Sequence, residues 1–389
     1  MLSSNIEFKK FSVKKNNSKV KKILNELLDD YSKKNNQLFL SLSKKYKYKF
    51  KFQNIKKYKK FKHYRIFGMG GSILGAEAIY SFLNRKIKKS FSFVNNIDLS
   101  RNQINKSNQL NIIISKSGNT LETLTNLNHY KVKNNCLFIT ENKKSYLRTL
   151  ALKLKSEIIE HNNFIGGRYS VLSETGMIPA FFMGLEPDKF KRLDNLISSK
   201  KFINNLTYNV SSILSFHQKK KNNSIILNYD ESSNNLFYWY QQLVAESLGK
   251  SSKGILPIVS PVPKDNHSVM QLYLDGFKKN FFTFFYVMDN NLKKINNRFL
   301  LESHKYLRNK KISDVLYSQF RATQNVFLKK KLPFRSFVIK KRDEKTLGEL
   351  FAFFILETIL LGNALKINPF NQPAVESIKT DTFKILKNI

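Results

Sequence analysis

The sequence predicts an α/β protein made of two similar units in tandem, each a parallel sheet covered by helices on both faces. Three observations predict it. Short apolar strands alternate with helical segments, the pattern of a parallel sheet wrapped on both sides. The alternation begins near Tyr64 and begins a second time near Ser224. The 389 residues are enough for two hydrophobic cores.

In chain order, residues 1–54 read as an amphipathic helical lead-in, because Val20, Ile23, Leu24, Leu27 and Leu28 recur at helical spacing. The first unit, 55–195, opens with the strand Tyr64-Arg-Ile-Phe, a glycine turn, and a helix through Ile73, Leu74, Ala78 and Ile79. Strands are expected at Phe91 to Val94, Asn111 to Ser115, Cys136 to Thr140 and Glu157 to Ile159, with helices at Leu121 to Tyr130 and Leu147 to Leu154. Pro187-Asp-Lys near residue 190 marks a boundary. The second unit, 196–346, places strands at Ser224-Ile-Ile-Leu-Asn, Leu256-Pro-Ile-Val, Phe281 to Met288 and Phe334 to Ile339. A tail, 347–389, reads as a long buried helix, a loop at Asn368 to Pro373, and a last helix carrying Lys379.

Composition narrows the class. Hydrophobic residues make up 41% of the chain, too many for a disordered protein. The single cysteine, Cys136, excludes an internal disulfide framework and fits a reducing, cytoplasmic setting. The formal charge of +40 invites a nucleic-acid or membrane reading. Yet the lysines are spread along the chain with Asn, Ile and Phe, the bias of an AT-rich genome, so specific nucleic-acid binding is not expected. The longest apolar run, Leu350-Phe-Ala-Phe-Phe-Ile-Leu, is interrupted by Glu357 and closed by Gly362. No segment is therefore expected to reach the length of a membrane span, and no signal peptide is expected, because the basic N-terminus lacks an apolar region.

The chemistry gathers at strand ends. In Gly68-Met-Gly-Gly-Ser72 the glycines free backbone N–H groups to face an anion at a helix start. A dinucleotide turn fits poorly, because the third glycine of that fingerprint would fall on Ile73. Ser115, Lys116, Ser117 and Thr120 make a cup for one phosphoryl group after a buried strand, more donors than an N-cap needs. Gly166-Gly-Arg168 presents a guanidinium where glycines allow close backbone approach. On the helix that ends near Gly249, Gln242 and Glu246 lie four residues apart and share a face. A lone glutamate there is ordinarily exposed or paired; its company elsewhere in the chain argues for use. His267 sits in the polar turn Lys264-Asp-Asn-His267, and the six histidines show no metal-ligand grouping.

Taken together these stretches resemble the phosphoglucose isomerase family, a fold of two SIS domains, from Tyr64 onward. Gly68-Met-Gly-Gly-Ser-Ile-Leu-Gly75 is similar to the family's first sugar-binding loop, and Ser115 to Thr120 to its phosphate loop. Gly166-Gly-Arg-Tyr-Ser170 and Asn368-Pro-Phe-Asn-Gln-Pro-Ala-Val-Glu-Ser-Ile-Lys379 resemble its two signatures. Gln242 to Lys250 and Lys264 to Tyr273 complete the set, in the family's order. The departures are a short chain with a trimmed N-terminal portion, and Asn266 beside His267 where the family pattern leads one to expect Gln.

The resemblance implies interconversion of glucose 6-phosphate and fructose 6-phosphate without a cofactor or metal. It makes Glu246 the base that shuttles a proton between C1 and C2 and Arg168 the cation beside the enediolate. His267 opens the ring, with Lys379 handling the other oxygen. Ser115, Lys116, Ser117 and Thr120 hold the 6-phosphate, while Ser72, Gln242 and Gln372 line the sugar. In the family the histidine arrives from the partner subunit, which implies a homodimer. Two alternatives stay open: a broader isomerase that also accepts mannose 6-phosphate, and a non-catalytic sugar-phosphate sensor that would need the cup but not Glu246, His267, Arg168 and Lys379 together.

Overall fold

A computed structural model describes residues 2–11, 17–33, 36–99, 106–288 and 293–389. The first sheet holds β2 (His63–Phe67), β3 (Ser90–Val94), β4 (Gln109–Ile114), β5 (Cys136–Thr140) and β6 (Glu157–Glu160). They run all parallel in the order β3-β2-β4-β5-β6. The second sheet holds β1 (Ile6–Lys9), β7 (Asn223–Asn228), β8 (Leu256–Pro261), β9 (Asn280–Val287) and β10 (Phe334–Ile339), in the order β1-β10-β9-β7-β8. Apart from the edge strands β1 and β6, the two orders are the same: the first strand of each unit pairs with both the second and the third. Such a sheet has a switch point between its first and third strands, where loops diverge and leave a crevice at the carboxyl ends. In the first unit that point lies between β2 and β4, the strands that lead into Gly68 and Ser115.

Each central strand is buried on both faces, so its side chains alternate between two cores. On β4, Ile112 and Ile114 join the large core that runs between the units, while Ile113 joins Leu127, Phe138 and Leu147 on the outer face. On β9, Phe281 and Phe285 face the shared core, while Phe282 and Phe284 meet Phe320, Phe327 and Phe334. The helix Glu344–Ala364 fills the shared core and is buried over nearly its whole length. Its cap is Asp343, whose carboxylate accepts from the Thr346 N–H at 2.9 Å. By length and composition this helix could cross a membrane, contrary to the expectation that no segment would. Its apolar character is explained by the core that encloses it.

Glu357 projects from this helix into a closed polar cage. Arg335 on β10 reaches it with both terminal nitrogens, and the side chains are 0% and 2% exposed. Asn209 donates to the same carboxylate, and the Tyr240 hydroxyl does so at 3.0 Å. Arg335 Nε donates to Thr283 Oγ1 at 2.9 Å. Burial disfavours the Arg335 charge, but the Glu357 carboxylate more than restores it.

The N-terminal lead-in is not wholly helical. Ile6–Lys9 forms an edge strand antiparallel to β10, Ile6 opposite Ile339, before the helix Ser18–Ser32. Ile6 is buried and Phe8 packs on Phe337 and Phe353, while Glu7 and Lys9 point the other way. That alternation of period two fits an edge strand, and charged residues suit its exposed side.

Candidate active site

Loops at the carboxyl ends of the first sheet meet the helix Asn234–Leu248 of the second unit. Gly70 has φ +51° and lies so close to Gln242 that a Cβ there would sit 2.6 Å from Nε2. A Cβ on Gly71 would lie 2.1 Å from the Gly167 carbonyl carbon. Gly70 is therefore required by its left-handed turn and by the Gln242 amide beside it, and Gly71 by backbone-to-backbone contact. The turn Gly70–Ser72 is 3₁₀, and the helix proper starts at Leu74. Ser72 is half-buried beside it.

The second loop folds on itself. Ser115 is buried, and its hydroxyl lies 2.8 Å from Thr120 Oγ1 and accepts from the Gly118 N–H at 3.2 Å. Ser117 is exposed and accepts from the Asn119 N–H. Lys116 turns aside: its ammonium donates to the Asn163 carbonyl at 2.8 Å and lies 3.3 Å from Glu141. Next to it, His161 is fully buried, and burial pushes its imidazole down to about 4.

Arg168 is the hub. Buried to 3% exposure, it donates Nε to Ser247 Oγ at 2.9 Å and Nη2 to the carbonyls of Pro369 at 2.7 Å and Asn371 at 3.1 Å. Its Nη1 reaches Gln372 Oε1 at 2.6 Å and Glu246 Oε2 at 2.9 Å. The other Glu246 oxygen accepts from Gln242 Nε2 at 2.8 Å, as their spacing on one helix face predicts. Glu246 is thus held at both oxygens, yet its side chain keeps 31% exposure. It lines a groove of about 800 Å³ with Lys250, Lys253, Lys366 and the strap Asn371–Val375. Burial pushes the Lys250 ammonium below its ordinary value, with Arg168 adding to the effect and Glu246 opposing it.

Arg168, Glu246, Gln242 and Gln372 therefore form one connected network. His267 and Lys379 do not join it. His267 is exposed on the turn Lys264–His267, and no hydrogen bond among the described residues ties it to Glu246 or Arg168. Lys379 stands on the exposed helix Glu376–Lys387 and pairs with Glu376 at 2.6 Å. Two further members escaped the sequence reading: Tyr169, whose hydroxyl lies 2.8 Å from Ser247 and donates to the Pro369 carbonyl, and Ser247 itself. Each adjoins a singled-out residue in sequence, which was the only signal available.

Residues 44–260 match the phosphoglucose isomerase family, over half of the chain. The chain belongs to that family. Among curated relatives, the glucose-6-phosphate isomerase of Methanocaldococcus jannaschii is 31% identical, covering 86% of this chain and 88% of its own. That of Mycoplasmopsis pulmonis is 30% identical over 83% of this chain and 82% of its own. Solved structures agree on the fold of this phosphoglucose isomerase family member. A hypothetical protein of Thermus thermophilus superposes with a TM-score of 0.81 at 22% identity, covering 94% of each chain. The glucose-6-phosphate isomerase of Chlamydia trachomatis does so with a TM-score of 0.69 at 17% identity, covering 98% of this chain and 81% of that one.

Proposed function

We propose that this protein is an aldose–ketose isomerase that interconverts D-glucose 6-phosphate and D-fructose 6-phosphate in glycolysis and gluconeogenesis. The observation that carries the reading is the half-open carboxylate of Glu246, hydrogen-bonded by Gln242 and Arg168 at the rim of a groove. A general base must reach a carbon-bound proton and hand it on. A half-exposed carboxylate on a rigid helix can do so. The isomerisation passes through a cis-enediolate, whose negative charge calls for a fixed cation, and Arg168 is fixed by five acceptors. Ser115, Lys116, Ser117 and Thr120 hold the phosphate at the switch point, and Ser72, Gln242 and Gln372 line the sugar. For Lys116 this means exchanging Asn163 and Glu141 for the substrate.

Ring opening falls to His267, delivered from the partner subunit of a homodimer, with Lys379 acting at the other oxygen once its helix docks along the groove. Exposed apolar side chains support the dimer: Phe299, Leu301 and Tyr306 on one surface segment, and Ile378, Phe383 and Ile385 on the last helix. The buried free thiol of Cys136 supports a cytoplasmic location.

One experiment tests activity and assembly together. Wild type should form fructose 6-phosphate from glucose 6-phosphate with EDTA present, while Glu246→Gln and His267→Ala each lose that activity. When the two inactive variants are unfolded and refolded together, mixed dimers carry one intact site, and activity should return. If mixing restores nothing while each variant folds, His267 does not cross the interface. Binding of sugar phosphate by a wild type that never turns it over would point to a sensor instead.

A further inference from the structure

Beneath the loop that carries Arg168 lies a buried charged cluster that the reaction does not use. Lys191 is 2% exposed, in the stretch after the short helix Pro187–Phe190. Its ammonium donates to the carbonyls of Leu172 and Ser41 and lies 4.8 Å from the ring centre of Tyr46 and 5.2 Å from that of Tyr48. Two carboxylates face it, Glu174 and Asp188. Glu174 is 1% exposed at the start of the helix Glu174–Phe182 and accepts from the Tyr46 hydroxyl at 2.8 Å.

Burying an ammonium is costly, and an apolar residue would ordinarily serve packing as well. What this lysine grips is informative. Leu172 is the last residue of the 3₁₀ segment Gly167–Leu172, whose second residue is Arg168. The front of that segment is pressed against Gly71, and its interior is tied by Ser170 Oγ donating to the Gly167 carbonyl at 2.7 Å. At its rear Val171 packs against Gly75 and Gly176, and the Leu172 carbonyl takes its anchor from outside. Lys191 supplies that anchor and joins it to Ser41.

We propose that Lys191 is a positioning residue for the isomerisation: its ammonium clamps the rear of the Gly167–Leu172 segment and so fixes where Arg168 meets Glu246. The proposal rests on the isomerase reading of Arg168. Its pH dependence separates it from a purely structural role. Burial pushes the Lys191 ammonium down from 10.5 and, even with Glu174 and Asp188 pulling it up, leaves it at about 7. The folded chain therefore releases this proton near neutrality, whereas the unfolded chain keeps it to about pH 10. Over that window the unfolded state binds more protons, so this group's contribution to stability rises with pH. The clamp weakens as that proton leaves, around pH 7, because an ammonium donates roughly twice as strongly as a neutral amine. Stability and order at Arg168 move in opposite directions.

The test compares wild type, Lys191→Met and Glu174→Gln between pH 6 and 9. It reads kcat and KM for glucose 6-phosphate, thermal unfolding, and amide hydrogen exchange over residues 166–173. Wild-type kcat should fall a few-fold through a limb near pH 7 while the unfolding temperature rises. Lys191→Met should lower kcat on the order of tenfold at pH 6.5 with KM within about twofold, lose that limb, and exchange faster at 166–173. Glu174→Gln removes a charge that raises the Lys191 pKa, so its limb should move to lower pH. A folded Lys191→Met with wild-type kcat, limb and protection overturns the proposal. If that variant does not fold, an unmoved limb in Glu174→Gln overturns it instead. A wild type without turnover, in which Lys191→Met still loosens 166–173, would sink the isomerase reading and leave the clamp standing.

Discussion

Two arginine–glutamate pairs in this chain share their chemistry and differ in what surrounds them. Arg335 and Glu357 are sealed in the core at 0% and 2% exposure, with Asn209, Tyr240 and Thr283 completing the cage. Arg168 is as deeply buried at 3%, but its partner Glu246 keeps 31% of its side chain open to a groove. In the sealed pair both charges are committed, and removing either leaves an uncompensated ion in a medium of low dielectric. In the open pair the arginine alone is committed. The carboxylate can exchange a protein partner for a substrate, because water and ligand reach it. One side chain's exposure separates a sealed ion pair from one that a ligand can reach.

That contrast can be broken from either side. The largest effect belongs to Glu246→Gln. Its kcat should fall about 10³–10⁴-fold, the scale of a lost general base, while urea unfolding shifts by less than roughly 1 kcal/mol. Activity near the wild-type level would move the base elsewhere. Glu357→Gln should do the reverse, costing about 3–5 kcal/mol of stability in urea titration, with kcat of the folded fraction preserved. A neutral outcome there would mean that the cage tolerates an unpaired Arg335. Arg168→Lys keeps a charge but not a planar fork, and a point donor cannot serve Ser247, Glu246, Gln372, Pro369 and Asn371 together. Its kcat should drop about 10²-fold at nearly unchanged KM; a change confined to KM would make Arg168 a binding group only. Tyr240→Phe sharpens the comparison most finely. It removes one donor to Glu357 and should cost about 1 kcal/mol in urea titration without touching turnover, so any loss of kcat would show that the two pairs communicate along the helix Asn234–Leu248, which carries both Tyr240 and Glu246.

The fold was legible where apolar runs were long. Strands such as Cys136–Thr140 and Asn280–Val287 are buried on both faces, and their near-continuous apolar stretches announce them. The strand Ile6–Lys9 was not legible: four residues are too few for their alternation to stand out in a lysine-rich context, and their partner stands near residue 339. In the site, Arg168, Glu246 and Gln242 were readable because glycines or helical spacing surround them, while Gln372 came from the motif around it. Ser247 and Tyr169 read as ordinary core, since a hydroxyl's partner is chosen by the fold and not by its neighbours in sequence. Lys191 hid in the charged run Lys189 to Arg192, where nothing local distinguishes a buried ammonium from a solvated one. His267 and Lys379 came from motif alone, and a motif carries no distance.

The pairing of Ile6 with Ile339 bears on how the chain is made. The strands of the first sheet lie between His63 and Glu160, so they can pair while synthesis continues. The second sheet cannot close until β10 leaves the ribosome, and until then the edge of β9 and the strand Ile6–Lys9 both lack their partner. A nascent chain stalled before residue 334 should thus carry two unpaired strand edges, the kind of surface that recruits chaperones or other chains. The first residues to be made are among the last to find their place.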